Sequence, residues 1–346
     1  MIAPQDFYLT VNLKGMKNYL NAIGMDISKK TFDAILFHSG EHSKFANDKK
    51  GFNSFAKWMK KNGCNPANVL ICFENTGYYS LQLSFFLFEK GFDYVQEHAL
   101  QIKRSIGFRR GKSDKSDAMD IARYAWIYRE SIRLSKPPSR LLLKLQQIKT
   151  TRELLVKHSV AIKNQIQALK VVGDHDVSKE SSKSLSRVLR TLEKQVHNLD
   201  TEIEVLIGKD EQLGKTFKLC CSVKGIGLVL ALELIIHTQN FTCFDCWRKF
   251  AAYCGTVPYP YQSGTSIKGK TRVHPASDKR MKSLLTMASI SALQVDPELK
   301  LFYKRRVEEG KPKMSVINMI RNKMLARIFA TVKRGTPFIT MSKFAA

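Results

Sequence analysis

An aspartate sits where a β-strand would normally be apolar. The stretch Leu20 to Leu36 reads L-N-A-I-G-M-D-I-S-K-K-T-F-D-A-I-L. Ile23, Met25 and Ile27 alternate with Ala22, Gly24 and Asp26, and after the polar turn Ser28-Lys29-Lys30 a β-rich run returns from Thr31 to Phe37. This pattern predicts a β-hairpin with Asp26 inside its first strand. A carboxylate there is unfavourable unless it is hydrogen-bonded, paired or bound to a cation, so the placement points to a role. A strand-end aspartate facing solvent is the plainer alternative.

The next hundred residues predict an α/β sheet. A third strand is expected over His42 to Ala46, then an amphipathic helix over Lys49 to Lys61 carrying Phe52, Phe55, Trp58 and Met59. Val69-Leu70-Ile71-Cys72-Phe73 is continuously apolar, as in a strand buried on both faces, and it ends at Glu74. After the turn Asn75-Thr76-Gly77 come a helix from Tyr78 to Lys90 and a short strand from Phe92 to Val95. From Gln101 to Lys112 the chain carries Lys103, Arg104, Arg109, Arg110 and Lys112 and no acid. Ser113 then reads as an N-cap, with Asp114, Asp117 and Asp120 three apart on one helical face. Like charges so spaced either complement the helix dipole or hold a cation. An Asp on the first strand, a Glu ending a later one and an acid pair opening a helix together form the arrangement of RNase H-like nucleases, whose carboxylates hold Mg²⁺, or Mn²⁺, against a phosphodiester.

Charge narrows the partner. The 346 residues include 57 Lys+Arg against 30 Asp+Glu, a formal net charge of +27. Such an excess calls for a polyanion, and nucleic acid is the first candidate. No long apolar span, basic amphipathic anchor or lipidation signal suggests a membrane, and residues 1–18 read as an N-terminal extension rather than a signal peptide. The seven cysteines, odd in number and irregularly spaced, suit a reducing cytoplasm. Cys243 and Cys246 have the spacing of half a zinc site but no second pair follows, so plain thiols are expected.

Pro137-Pro138 closes this first region, and long helices follow. Leu141, Leu145, Ile148, Arg152, Leu155, Ser159, Ile162, Ile166 and Leu169 step by four and three, a heptad seam with two polar interruptions. Leu185, Leu189, Leu192, Val196, Leu199, Ile203 and Leu206 form a second seam, with the polar tract Gly173 to Ser184 expected as the tip between them. An antiparallel coiled-coil hairpin used for subunit contact is the preferred reading, and a pair packed only on its own domain is the alternative. Leu219 to Ile236 holds Gly225-Ile226-Gly227 between two apolar helices, a helix-hairpin-helix pattern whose glycines let backbone N–H groups approach a phosphate; tight helix packing explains it equally. Ser263 follows in a Pro- and Gly-bounded turn with Lys268, Lys270 and Arg272 behind it, as a phosphate anchor, a nucleophile or an ordinary turn serine. Basic, apolar-striped helices are expected over Met281 to Ala292 and Lys313 to Arg334.

Taken in order, I-G-M-D-I-S-K at Ile23 to Lys29, E-N-T-G-Y at Glu74 to Tyr78, K-S-D-K-S-D-A at Lys112 to Ala118, G-I-G at Gly225 to Gly227, F-A-A-Y-C-G at Phe250 to Gly255 and Y-Q-S-G at Tyr261 to Gly264 make the chain resemble a known family. It is similar, from about Tyr19 to Phe338, to the DEDD transposases of bacterial insertion sequences related to the Piv DNA invertase, whose better-studied members are recombinases guided by a bridge RNA. The resemblance implies an RNase H-like (RuvC-like) α/β domain at 19–136, a coiled-coil dimerisation region at 137–212 and a mainly α serine-containing transposase domain at 213–346. It implies Asp26, Glu74, Asp114 and Asp117 as Mg²⁺ ligands, with Asp120 outside the motif, and Ser263 as a nucleophile forming a phosphoseryl-DNA intermediate. The implied partners are donor and target DNA, a bridge RNA and further copies of the chain in a dimer or tetramer, at the nucleoid of a bacterial or archaeal cytoplasm. The competing readings are a hydrolytic RNase H-like nuclease, a Piv-like invertase without an RNA guide, and a non-catalytic nucleic-acid scaffold.

Overall fold

The hairpin forms as the alternation predicts: β1 (Asn21–Ile27) pairs antiparallel with β2 (Thr31–Leu36), and β2 with β3 (His42–Ala46). The computed structural model describes residues 17–107, 113–171, 175–264 and 266–339, which divide into two units, Met1–Pro137 and Pro138–Ala346. In the first unit β4 (Val69–Glu74) and β5 (Asp93–Glu97) extend the sheet on the other side of β1 with parallel pairing, giving the order β3-β2-β1-β4-β5.

Each face of this sheet has its own cover. Ile23, Met25, Phe32, Ala34, Ile71 and Phe73 pack against Phe52, Phe55 and Met59 of α1 (Lys49–Lys61) and Leu83 and Leu87 of α2 (Tyr78–Glu89). On the opposite face Ala22, Leu70, Cys72 and Val95 meet Ile102 of α3 (Ala99–Ile106) and Ile121, Tyr124 and Ala125 of α4 (Asp114–Tyr128). The expected cap opens α4: Ser113 Oγ accepts from Ser116 N, and Ser113 N donates to Ser116 Oγ. Helix α3 was not foreseen in the basic stretch. Gly24 sets how closely α4 approaches, because a Cβ there would lie 2.0 Å from the Ala118 carbonyl oxygen and 2.2 Å from Ala122 N.

The second unit is helical with one small hairpin of strands. Helices α5 (Arg140–Val171) and α6 (His175–Gly208) pack along both heptad seams, the seam positions being the shielded ones. The interruption at Arg152 is answered across the pair by Asp200, which accepts from both Nε and Nη2, and Ser159 Oγ donates to the Leu155 carbonyl at 2.9 Å. The expected tip is corrected: α6 begins at His175, so 175–184 is helix and not loop, because no Gly or Pro interrupts the chain until Gly208. Beyond lie α7 (Glu211–Ser222), α8 (Leu228–Thr238), α9 (Trp247–Tyr253), the antiparallel strands β6 (Tyr259–Ser263) and β7 (Ile267–Arg272), and α10 (Lys279–Val295), α11 (Pro297–Glu308) and α12 (Lys313–Arg334). Among the described residues no helix is long and apolar enough to cross a membrane.

One buried carboxylate ties three of these helices together. Glu233 of α8 is fully buried and accepts from Lys149 Nζ of α5 at 2.9 and 3.0 Å and from Arg280 Nε of α10 at 2.9 Å, with His237 Nε2 at 3.2 Å. Burial pushes its carboxyl up, but His237, Lys149 and Arg280 more than offset that and hold it at about 2. A carboxyl depressed on folding stabilises above its ordinary value of 4.5, and that stabilisation is lost as pH falls from there toward about 2. Urea unfolding across this window should show a loss of ~3 kcal/mol that Glu233→Gln lacks.

Candidate active site

Register places carboxylates side by side at one edge of the first unit. Asp26 on β1 lies directly opposite Asp33 on β2, and Glu74 on β4 opposite Glu97 on β5. Since Met25 pairs with Phe73, the next step along the parallel pair sets Asp26 beside Glu74. Asp33, Asp26, Glu74 and Glu97 therefore form one row across four adjacent strands, on the face that Gly24 and Cys72 turn toward α4. The first turn of α4 brings Asp114 and Asp117 to the same place, Asp114 exposed and Asp117 half-buried.

The row is electrostatically strained. Burial, and after it the charges of Asp117, Asp114, Glu74 and Asp33, pushes the half-buried Asp26 carboxyl above its ordinary range. Asp120 lies one turn further along α4. Asp33 is satisfied by His42 Nε2 at 2.9 Å and Lys44 Nζ at 3.2 Å, and the same lysine stands 3.7 Å from Asp114 Oδ2. Lys44 thus brings one positive charge into the cluster. At the far end Glu97 Oε2 accepts from Tyr124 OH at 2.8 Å and Oε1 from His98 N at 2.8 Å.

All these donors are hard carboxylate oxygens, the set that suits Mg²⁺ or Mn²⁺, and their mutual repulsion supplies the electrostatic demand for a cation. Yet among the described residues no three His, Cys, Asp or Glu side chains close around one point as ligands do. The acids share a field without sharing a focus.

Ser263 ends β6 and pairs with Ile267, so it stands on a β-hairpin and not in the simple turn expected of it. The base of that hairpin is pinned in its own unit: Asn318 and Asn322 of α12 donate to the Thr256 carbonyl at 2.8 and 3.1 Å. Lys270 and Arg272 are exposed on β7, while the side chains of Ser263 and Lys268 lie outside the description. Lys103 and Arg104 are exposed in the last turn of α3, and Arg109, Arg110 and Lys112 lie outside the described residues. The two glycines differ. A Cβ on Gly225 would meet the Ala288 carbonyl oxygen and Ala292 Cβ of α10 at 2.7 Å, so helix packing claims that position, whereas Gly227 opens α8 with free space around it.

Sequence reasoning missed Asp33, Glu97, Lys44 and Tyr124. The first was within reach, since the hairpin turn Ser28–Thr31 already sets Asp33 opposite Asp26.

Comparison with known proteins places these residues in context. Residues 23–170 match the family model DEDD_Tnp_IS110, described as Transposase, and 218–304 match that of the Transposase IS116/IS110/IS902 family. Over 322 residues the chain is 27% identical to the pilin gene-inverting protein of Moraxella bovis, spanning 91% of this chain and 97% of that protein; its counterpart in Moraxella lacunata matches over the same span. The uncharacterized 43.6 kDa protein of insertion element IS110 in Streptomyces coelicolor is 23% identical over 153 residues, 44% of this chain and 36% of that one.

Proposed function

Because the chain belongs to the IS110 family of DEDD transposases, related to the pilin gene-inverting proteins, we propose that it cuts and rejoins DNA phosphodiesters, with the carboxylates Asp26, Glu74, Asp114 and Asp117 and the hydroxyl of Ser263 as the working groups. The observation that carries this reading is the placement of Asp26 and Glu74 on neighbouring strands with the opening turn of α4, and its two aspartates, brought against them by Gly24. The strand order, with its antiparallel first hairpin and parallel β4 and β5, accords with an RNase H-like domain. The α5–α6 pair suits a contact between copies of the chain, in a dimer or tetramer.

A divalent cation held by Asp26, Glu74, Asp114 and Asp117 would neutralise the scissile phosphate and lower the charge barrier to attack. Ser263 Oγ attacks phosphorus: the Oγ–P bond forms, the P–O bond to the leaving strand breaks, and that strand departs as a hydroxyl end. Attack of a hydroxyl end on the phosphoserine reverses the step and restores the serine, which is how strands are rejoined without an external energy source. The exposed Lys103, Arg104, Lys270 and Arg272, together with Arg109, Arg110, Lys112, Lys268 and the backbone at Gly227, hold the backbones of donor and target DNA, with a bridge RNA choosing the site; Gly225 is taken up by packing on α10.

Denaturing electrophoresis after incubation of the full chain with DNA of its flanking element tests the chemistry. A protein–DNA adduct is expected in wild type and absent in Ser263→Ala. Cutting without an adduct, undiminished in Ser263→Ala, would instead mean a water nucleophile and a hydrolytic nuclease. A second reading, site-specific inversion without an RNA guide, is favoured by one observation: the gene-inverting relatives match along nearly the whole chain, the insertion-element relatives along less than half. Sequencing the RNA that copurifies with the protein separates the two, one structured species from the flanking DNA favouring the guided reading.

A further inference from the structure

The carboxylate row does not end on a carboxylate. Asp33 on β2 lies directly opposite Lys44 on β3, so the row runs Glu97, Glu74, Asp26, Asp33 and then Lys44 across all five strands of the sheet. Ile35, two residues past Asp33 and on the same face, packs against Ala118 and Ala122 of α4, which fixes that face as the one the helix covers. Lys44 therefore stands at the β3 edge of the site, on the side of the acids.

Its two partners differ in kind. Asp33 is buried, only 6% exposed, and both its oxygens are engaged, Oδ1 by His42 Nε2 at 2.9 Å and Oδ2 by Lys44 Nζ at 3.2 Å. Asp33 thus anchors the ammonium from within the sheet. The second partner is Asp114 Oδ2 at the start of α4, 3.7 Å from the same Nζ, and here both side chains are open, Lys44 51% and Asp114 68% exposed. An exposed pair of this kind is weak and readily exchanged. A lysine ammonium is a compact charge with three donors on a flexible stem, so it can stay on Asp33 while giving up Asp114 for another anion.

Asp114 then has two cationic claimants, Lys44 and the divalent ion of the reading above, and the two repel each other. We propose that Lys44 couples loading of the divalent ion to the arrival of DNA: without DNA its ammonium holds Asp114 and opposes the ion, and a backbone phosphate draws the ammonium away, still anchored on Asp33, and frees Asp114 to serve as a ligand. The inference rests on Asp114 being a ligand, as proposed above. A lysine that only neutralised the buried Asp33 would leave the ion's response to DNA unchanged.

The test titrates Mn²⁺ into the full chain, following the free-ion electron paramagnetic resonance signal, with and without duplex DNA of the flanking element. Lys44→Gln keeps a donor for Asp33 and removes the charge, Lys44→Met keeps the apolar stem, and Lys44→Arg keeps the charge; circular dichroism reports that each is folded. Without DNA, Lys44→Gln and Lys44→Met should bind Mn²⁺ more tightly than wild type, by roughly fivefold, the upper end for one exposed ion pair. The gain in Mn²⁺ affinity that DNA brings should shrink by the same factor in both, and Lys44→Arg should behave as wild type. DNA binding in EDTA, measured by fluorescence anisotropy across a salt series, reads the phosphate contact: the slope of log affinity against log salt should be shallower by about one in the uncharged variants. Mn²⁺ binding no tighter than wild type, an undiminished gain from DNA, or an unchanged salt slope each overturns the proposal, and the acids stand as a cation site wherever wild type still binds the ion. Mn²⁺ bound by neither wild type nor variants overturns both.

Discussion

Replacing Asp26 with Asn should abolish strand exchange, by ~10³-fold or more, the order lost when a group that manages transition-state charge is removed, and yet leave the protein no less stable. The two outcomes share one cause. Burial and the charges of Asp117, Asp114, Glu74 and Asp33 hold the Asp26 carboxyl above its ordinary range. An acid raised on folding opposes the folded state at neutral pH, where it must ionise among like charges, so a neutral amide relieves the fold even as it removes a ligand. Recombination of a plasmid carrying the element's flanking DNA, counted by quantitative PCR, reads the first effect. The thermal midpoint without divalent ions reads the second and should be unchanged or higher. Asp120→Asn is the comparison, since Asp120 lies a turn beyond the acid pair Asp114 and Asp117 that opens α4, and its activity should stay close to wild type. A fall in Asp120→Asn as deep as in Asp26→Asn would move the site along α4.

The second large effect belongs to Gly24. A methyl group there would enter the backbone of α4, 2.0 Å from the Ala118 carbonyl oxygen and 2.2 Å from Ala122 N, and backbone cannot step aside as a side chain can. Overpacking of this kind destabilises by about 1–3 kcal/mol even when side chains give way, so Gly24→Ala should lie at or above the top of that range and Gly24→Val beyond it. The same displacement carries Asp114 and Asp117 away from Asp26. Gly24→Ala should therefore lose activity even below its unfolding temperature, with circular dichroism reporting the fold and the recombination assay the site. A Gly24→Ala protein of normal stability and activity would mean that α4 does not rest on β1 as closely as the geometry requires.

Local chemistry made much of this legible beforehand. The alternation around Asp26 yields β1 and β2, the cap at Ser113 opens α4 as expected, and the limits of α1 and α12 follow their apolar periodicity. What was missed depends on partners far apart in the chain. Lys149 and Glu233 are 84 residues apart, and nothing near either predicts that both would be buried together. Glu97 joins the carboxylate row only through β4–β5 register, which no local pattern fixes. The strands carrying Ser263 hide behind Pro258 and Pro260, which read as a turn, although the β6–β7 pairing tolerates proline beside its register shift between Tyr259 and Tyr261. At Gly225 two physical uses of glycine, approach to a phosphate and approach of a helix, leave the same mark in sequence, and the neighbouring α10 accounts for the second.

The most direct test of the acids as a cation site is a titration of Mn²⁺ into the full chain with flanking-element DNA present, following the free-ion electron paramagnetic resonance signal. Wild type should deplete that signal with saturation, and Asp26→Asn should lose most of the depletion while remaining folded. Equal depletion by wild type and Asp26→Asn, or none by either, would contradict the claim that these carboxylates hold the ion on which cutting depends.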